Sequence, residues 1–170
     1  MFWTMGPQQC GKAAQAGWRE LARPVALERD AGLWPFEGGL SRLLAERRLV
    51  LAETYPAECY GQVLSIKGRF SKQRRDDRLA LAPQIAAFAA ELDLDLGPLA
   101  EAVGRGFYDV DGADNGFDAT VGLLAMLAVV RGRRGDGAPD TAAVQGLEGW
   151  MLGLSTTPTR AGSSSAATAP

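Results

Sequence analysis

The sequence predicts an α/β domain with far more helix than strand. Three observations lead there. Apolar residues recur at helical spacing in about six segments. Leu49-Val50-Leu51-Ala52 is apolar at every position, the pattern of a short strand covered on both faces. Only residues 32–36 and 149–154 add further extended character. A doubly covered strand needs neighbours that this chain hardly supplies. The sheet is therefore expected to be completed by another chain or by sequence lying upstream.

The elements follow in order. Residues 8–27 read as a helix after Gly6-Pro7, with Ala13, Ala14, Trp18, Leu21 and Ala22 on one side and Pro24 ending or bending it. Residues 32–36 are extended and closed by Gly38-Gly39, residues 40–48 are a short helix, and residues 49–53 are the apolar strand. Residues 56–66 form a helix entered through Pro56. Residues 71–92 are the clearest helix: Leu81, Ile85, Phe88 and Leu92 fall at i, i+4, i+7 and i+11, and Ser71 is the expected N-cap. A short helix at 98–104 leads into a glycine- and aspartate-rich loop. Asp114 or Asn115 then caps a strongly apolar helix running to about Arg131. Residues 155–170 carry one charge and no large apolar side chain, so a disordered tail is expected after an ordered domain over 1–154.

Composition narrows the chemistry. The 170 residues are 46% hydrophobic and suffice for one core. There is no histidine, which removes Ser-His-Asp and Cys-His mechanisms and nearly all catalytic zinc sites. Two cysteines make no disulfide framework, and no secretory signal pattern opens the chain. The strongly apolar run at 120–130 is too short for a bilayer, so the expected location is cytoplasmic without membrane contact. A net charge of −2 restricts any nucleic-acid contact to a local patch.

Carboxylates are the remaining candidates. Glu53 ends the apolar strand, where functional groups collect in open α/β sheets, or it is a solvated strand end. Asp109, Asp111, Asp114 and Asp118 lie in FYDVDGADNGFDATVGLLAMLAVVRG. Their spacing fails the EF-hand pattern, because Asp114 occupies the glycine position. Asp114 and Asp118 share a helical face, and Asp118 stands one turn into an apolar helix, where an unpaired carboxylate is costly. Asp114 has the alternative role of a cap. Lys67, Arg69, Lys72, Arg74, Arg75 and Arg78 form a basic stretch that is either a solvated face or a polyanion contact, diluted by Asp76 and Asp77.

Five segments carry a family resemblance: WPFEG (34–38), LAETYPAECYG (51–61), SKQRRDDR (71–78), DNGFDATVGLLAMLAVVRG (114–132) and EGWMLGL (148–154). In order and spacing they resemble a bacterial family of uncharacterised proteins predicted to be nucleases with an RNase H-like fold. The resemblance implies a mixed sheet flanked by helices, and a metal-dependent nuclease or phosphodiesterase using two Mg²⁺ or Mn²⁺ ions. Glu53 and Asp118 match its acidic ligands and Asp114 is their neighbour. Lys72, Arg74, Arg75 and Arg78 are then the nucleic-acid contacts. The chain departs from the family in lacking the first strands and their central Asp, so the expected fold is an N-terminally incomplete RNase H-like domain. Inactivity, or a fragmentary gene, is consistent with that. The alternative is a non-catalytic binding or assembly module of the same fold, forming homo-oligomers through an unpaired sheet edge.

Overall fold

The computed structural model describes residues 15–154. The first part of the 8–27 helix, Cys10 and the expected tail at 155–170 lie outside the described residues. The chain enters through a π-helical turn at Trp18–Ala22 that runs into α1 (Arg23–Ala26). Pro24 has no N–H to give to the carbonyl one turn back, and the turn before it is widened, with Arg23 N–H reaching Trp18 O five residues back. Then come β1 (Ala31–Leu33), α2 (Leu40–Glu46), β2 (Leu49–Leu51), α3 (Pro56–Val63), α4 (Arg75–Glu91), α5 (Leu99–Gly104) and α6 (Ala113–Val130). A second π turn, Val144–Glu148, precedes the last described segment.

This architecture corrects the expected RNase H-like mixed sheet. The described residues are 53% helix and 6% strand. Its sheet has two parallel strands, with Ala31 opposite Leu49, Gly32 opposite Val50 and Leu33 opposite Leu51. The segment 149–154 adds one parallel bridge, Met151 to Glu53. The physical reason is the balance of patterns: helical periodicity spans most of the chain, and each extended run stops after three residues. Nor is β2 covered on both faces, since Leu49 is exposed and Val50 and Leu51 are half-buried.

The outer edge of β1 is closed from within. Trp34 N–H donates to Leu51 O across the sheet, so the Ala31 and Leu33 N–H groups face away from β2. Ala31 N–H donates to Glu28 O at 3.1 Å, and Leu33 N–H donates to Glu37 Oε1 at 2.9 Å. Strand addition at this edge would find both donors already engaged.

Two apolar clusters share α6. The larger joins α3, α4, α5 and the first half of α6 through Val63, Leu81, Ile85, Val103, Phe117, Val121 and Leu124. The smaller sets Val129 of α6 against Trp34, Leu40, Leu43 and Leu152 beside the sheet. The 18-residue α6 is long and apolar enough, by length and composition, to cross a membrane, and half of it is buried inside the protein. Its apolarity on most sides reflects service to two cores. The N-cap of α6 is Gly112 at φ +79°, not Asp114 or Asn115. Asp114 is thereby inside the first turn, with its carboxylate free for another partner. Likewise α4 starts at Arg75 rather than at Ser71, whose N–H donates to Asp77 Oδ2 at 2.8 Å.

The α4 helix is fixed by one buried cation. Arg78 is 2% exposed. Its Nε donates to Gly106 O at 2.9 Å, Nη1 to Lys72 O at 2.6 Å and Nη2 to Tyr108 O at 2.8 Å. Gly106, Phe107 and Tyr108 are all left-handed, at φ 60°, 60° and 65°. A Cβ on Gly106 would lie 2.9 Å from Arg75 O, so only glycine lets this loop approach α4 so closely. Left-handed backbone at two non-glycine residues costs on the order of 1 kcal/mol or more each. The guanidinium bonds and the buried Phe107 ring offset that cost. Replacing Arg78 by Met, which keeps length but has no donors, is expected to lower unfolding free energy by about 3 kcal/mol in urea denaturation, with Arg78→Lys recovering only part.

Candidate functional site

Three elements converge on Asp118. Helix α6 presents Asp114 and Asp118 one turn apart, as the sequence spacing requires. Helix α3, entered through Pro56, lies against α6 and carries Tyr60. The segment before α4 carries Lys72, whose main-chain carbonyl is the one held by Arg78. The Tyr60 hydroxyl donates to Asp118 Oδ1, and the Lys72 ammonium donates to Asp118 Oδ2. Lys72 Nζ also stands 3.7 Å from Asp114 Oδ2, so one cation serves both carboxylates. The Asp118 side chain is 16% exposed and that of Asp114 27%, which leaves the cluster open to solvent on one side.

Aromatic packing fixes the phenol. The Tyr60 ring stands edge-on to Phe70 at 5.9 Å and tilted against Phe117 at 5.6 Å. Burial, followed by the hydrogen bond and the charge of Asp118, pushes the Tyr60 hydroxyl well above its ordinary value of 10.0. The Lys72 ammonium is also held above its ordinary value, chiefly by its bond to Asp118, with burial opposing. Both groups therefore keep their protons at neutral pH. The cluster consists of an ammonium, a neutral phenol and two aspartates.

The expected site residues separate into three places. Asp114 and Asp118 come together as the helical spacing indicated. Glu53 does not join them: it is exposed, its main-chain O accepts from Leu152 N–H at 2.8 Å, and it lines a different cavity. Its neighbour Thr54 lies beside α6 at Gly122, one turn beyond Asp118. Among the described residues, no group of three or more acidic or cysteine side chains is arranged to hold a metal ion.

The basic stretch is divided by packing. Arg78 is buried and spent on carbonyls, out of reach of a polyanion. Lys72 faces the aspartates. Arg74 binds Asp77 through several contacts of 2.7–3.0 Å and, with Ser71 N–H, holds that carboxyl below the usual range. Arg75 is exposed and donates to Arg105 O at 3.0 Å. Of the four residues expected to contact nucleic acid, Arg74 and Arg75 remain on the surface.

Tyr60 is the member that the sequence pattern did not indicate. Its signal lies in tertiary pairing, because only the packing of α3 on α6 brings residues 60 and 118 together. Comparison with protein-family models, with curated proteins and with solved structures gives no match to this chain.

The raised values give a pH dependence with a definite sign. A group whose folded value lies above its unfolded one contributes stability that is complete below the unfolded value and is lost as pH rises toward the folded one. For Tyr60 and Lys72 the loss begins near pH 10. Thermal unfolding followed from neutral to strongly alkaline pH is expected to show stability falling past that point. Asp118→Asn should make the fall shallower, because it removes the chief partner of the Lys72 proton and the second cause, after burial, of the Tyr60 shift.

Proposed function

We propose that the Asp118 cluster is a hydrolytic site acting on phosphate esters, phosphodiesters in particular, with one divalent cation as its cofactor. The observation that carries this reading is Asp118 itself: a carboxylate on an apolar core helix, largely removed from water, shared between an ammonium and a phenol, with a second carboxylate one turn away. Its two partners, Tyr60 and Lys72, both hold their protons more tightly than usual, and such displaced groups beside a partly open carboxylate pair are candidates for a functional site.

The donor set fits one hard ion rather than two. Mg²⁺ and Mn²⁺ take oxygen ligands, and Mg²⁺ commonly binds through one or two carboxylates while keeping several waters. Asp114 and Asp118 supply two such carboxylates. Glu53 belongs to another part of the surface, so the paired-ion arrangement that the resemblance implied is not supported by the placement of the acids. When bound, the cation would supply Lewis-acid polarisation of a phosphoryl oxygen and a more acidic water.

The protein residues have separable tasks. Tyr60 holds Oδ1 of Asp118 and so fixes the carboxylate against rotation. Lys72 pairs with both acids, one positive charge against two negative ones, and is the group an entering ion would displace. Once displaced, its ammonium is beside the site as a point charge for an anionic phosphate.

The test begins with thermal shift on addition of Mn²⁺, for the parent chain and for Lys72→Met and Asp118→Asn. The parent is expected to shift upward and Asp118→Asn to lose the shift. Lys72→Met is expected to bind Mn²⁺ about tenfold more tightly, since the competing internal cation is gone. Hydrolysis of bis(p-nitrophenyl) phosphate with Mn²⁺ should fall by about a hundredfold in Asp118→Asn. Absence of any Mn²⁺ response in both the parent and Lys72→Met would overturn the proposal.

A further inference from the structure

A recess lies away from Asp118, at the carboxyl ends of the two parallel strands. Its volume is about 530 Å³, in the range of small-molecule sites. Residues following β1 and β2 line one side, and the π turn at Trp18–Ala22 and the segment 147–150 line the others. Ligands of open α/β sheets commonly bind outside the carboxyl ends of strands, because loops from separate strands diverge there and leave a crevice.

Its lining has a definite chemistry. Trp18, Trp34, Phe36 and Trp150 contribute four aromatic rings from three separate segments, Trp34 and Phe36 both following β1. Trp34 is 3% exposed and belongs to the smaller core, whereas Trp18 is 55% exposed. The Phe36 ring lies 3.0 Å from where a Cβ on Gly149 would stand, so a glycine there lets the ring close over the chain. Trp150 Nε1 donates to Leu154 O at 2.9 Å, which satisfies the indole N–H internally and leaves the ring as an apolar surface. The charged residues lining the recess are Glu53 and Glu148, and no basic residue lines it among the described residues.

We infer that this recess binds an organic cation: an ammonium group, quaternary or highly substituted, carried on an apolar body. Aromatic faces attract such a cation through their quadrupoles, and two carboxylates without a neighbouring base set the same sign of charge. An anionic ligand would meet Glu53 and Glu148 without a counter-charge. A neutral apolar ligand would gain from the rings and nothing from the acids. A partner strand is disfavoured by the capped outer edge of β1, where both outward donors are engaged within the chain. On this view Glu53 has a role at its strand end, in charge recognition apart from the Asp118 cluster, so this inference and the hydrolytic proposal stand or fall separately.

The experiment compares three probes of similar shape on the full chain: benzyltrimethylammonium, its neutral carbon isostere neopentylbenzene, and phenylacetate. Binding is read by tryptophan fluorescence and by ligand-observed NMR. The cation is expected to bind about tenfold or more tightly than the neutral isostere, and phenylacetate not at all. The Glu53→Gln/Glu148→Gln pair should remove that preference while leaving the circular dichroism spectrum unchanged. Trp18→Ala, at an exposed position, should weaken the cation by a similar factor. Equal affinity for cation and isostere, an undiminished cation affinity in the double variant, or no cation binding by the full chain would each overturn the inference.

Discussion

A single guanidinium organises the helical part of this protein. Arg78 is buried without a carboxylate partner among the described residues, and carbonyls from both sides of α4 in sequence meet its charge. The bond to Lys72 O fixes the approach to the helix, and the bonds to Gly106 O and Tyr108 O fix the loop that leads toward α6. A buried cation held by carbonyl dipoles is stable only while all of them stay in place, so these segments order together or not at all. The Asp118 cluster depends on this arrangement, because Lys72 reaches the aspartates from a backbone position that Arg78 holds.

Helix α6 sets the second constraint. Its first turns carry the acids and its middle fills the larger core, while Val129 near its end joins the smaller core beside the sheet. A residue such as Phe117 does both jobs, lying fully buried between Phe70, Phe107 and Tyr60 while flanking Asp118 in sequence. Packing and site geometry are therefore hard to vary independently along this helix.

Much of this was legible in the amino-acid pattern, and the failures have identifiable causes. The i, i+4, i+7 apolar series from Leu81 to Phe88 located α4, and the four-residue spacing of Asp114 and Asp118 put both on one face. Proline at position 56 marked the start of α3. The sheet was overestimated because an apolar tetrapeptide reads alike whether it is enclosed by strands or lies beside a recess, and Leu49 is in fact exposed. The basic stretch misled for a related reason: charge in sequence does not say which side chain turns inward, and Arg78 does. Gly112 displaced Asp114 from the cap because a left-handed residue can start a helix without a side-chain acceptor, a choice that depends on the loop before it. Tyr60 and Lys72 lie 58 and 46 residues from Asp118, a separation at which no local pattern can report contact.

The carboxylate of Glu37 has a consequence beyond its one bond. By accepting from Leu33 N–H it stands where the next strand's carbonyl would be, so the sheet ends on a side chain of its own chain. Strand-by-strand growth of molecules onto one another requires outward donors left waiting, and the short edge here offers none of that kind at residues 31 and 33. A four-residue loop-back thus closes this edge to strand-by-strand growth, through an acid that has no share in either recess or cluster.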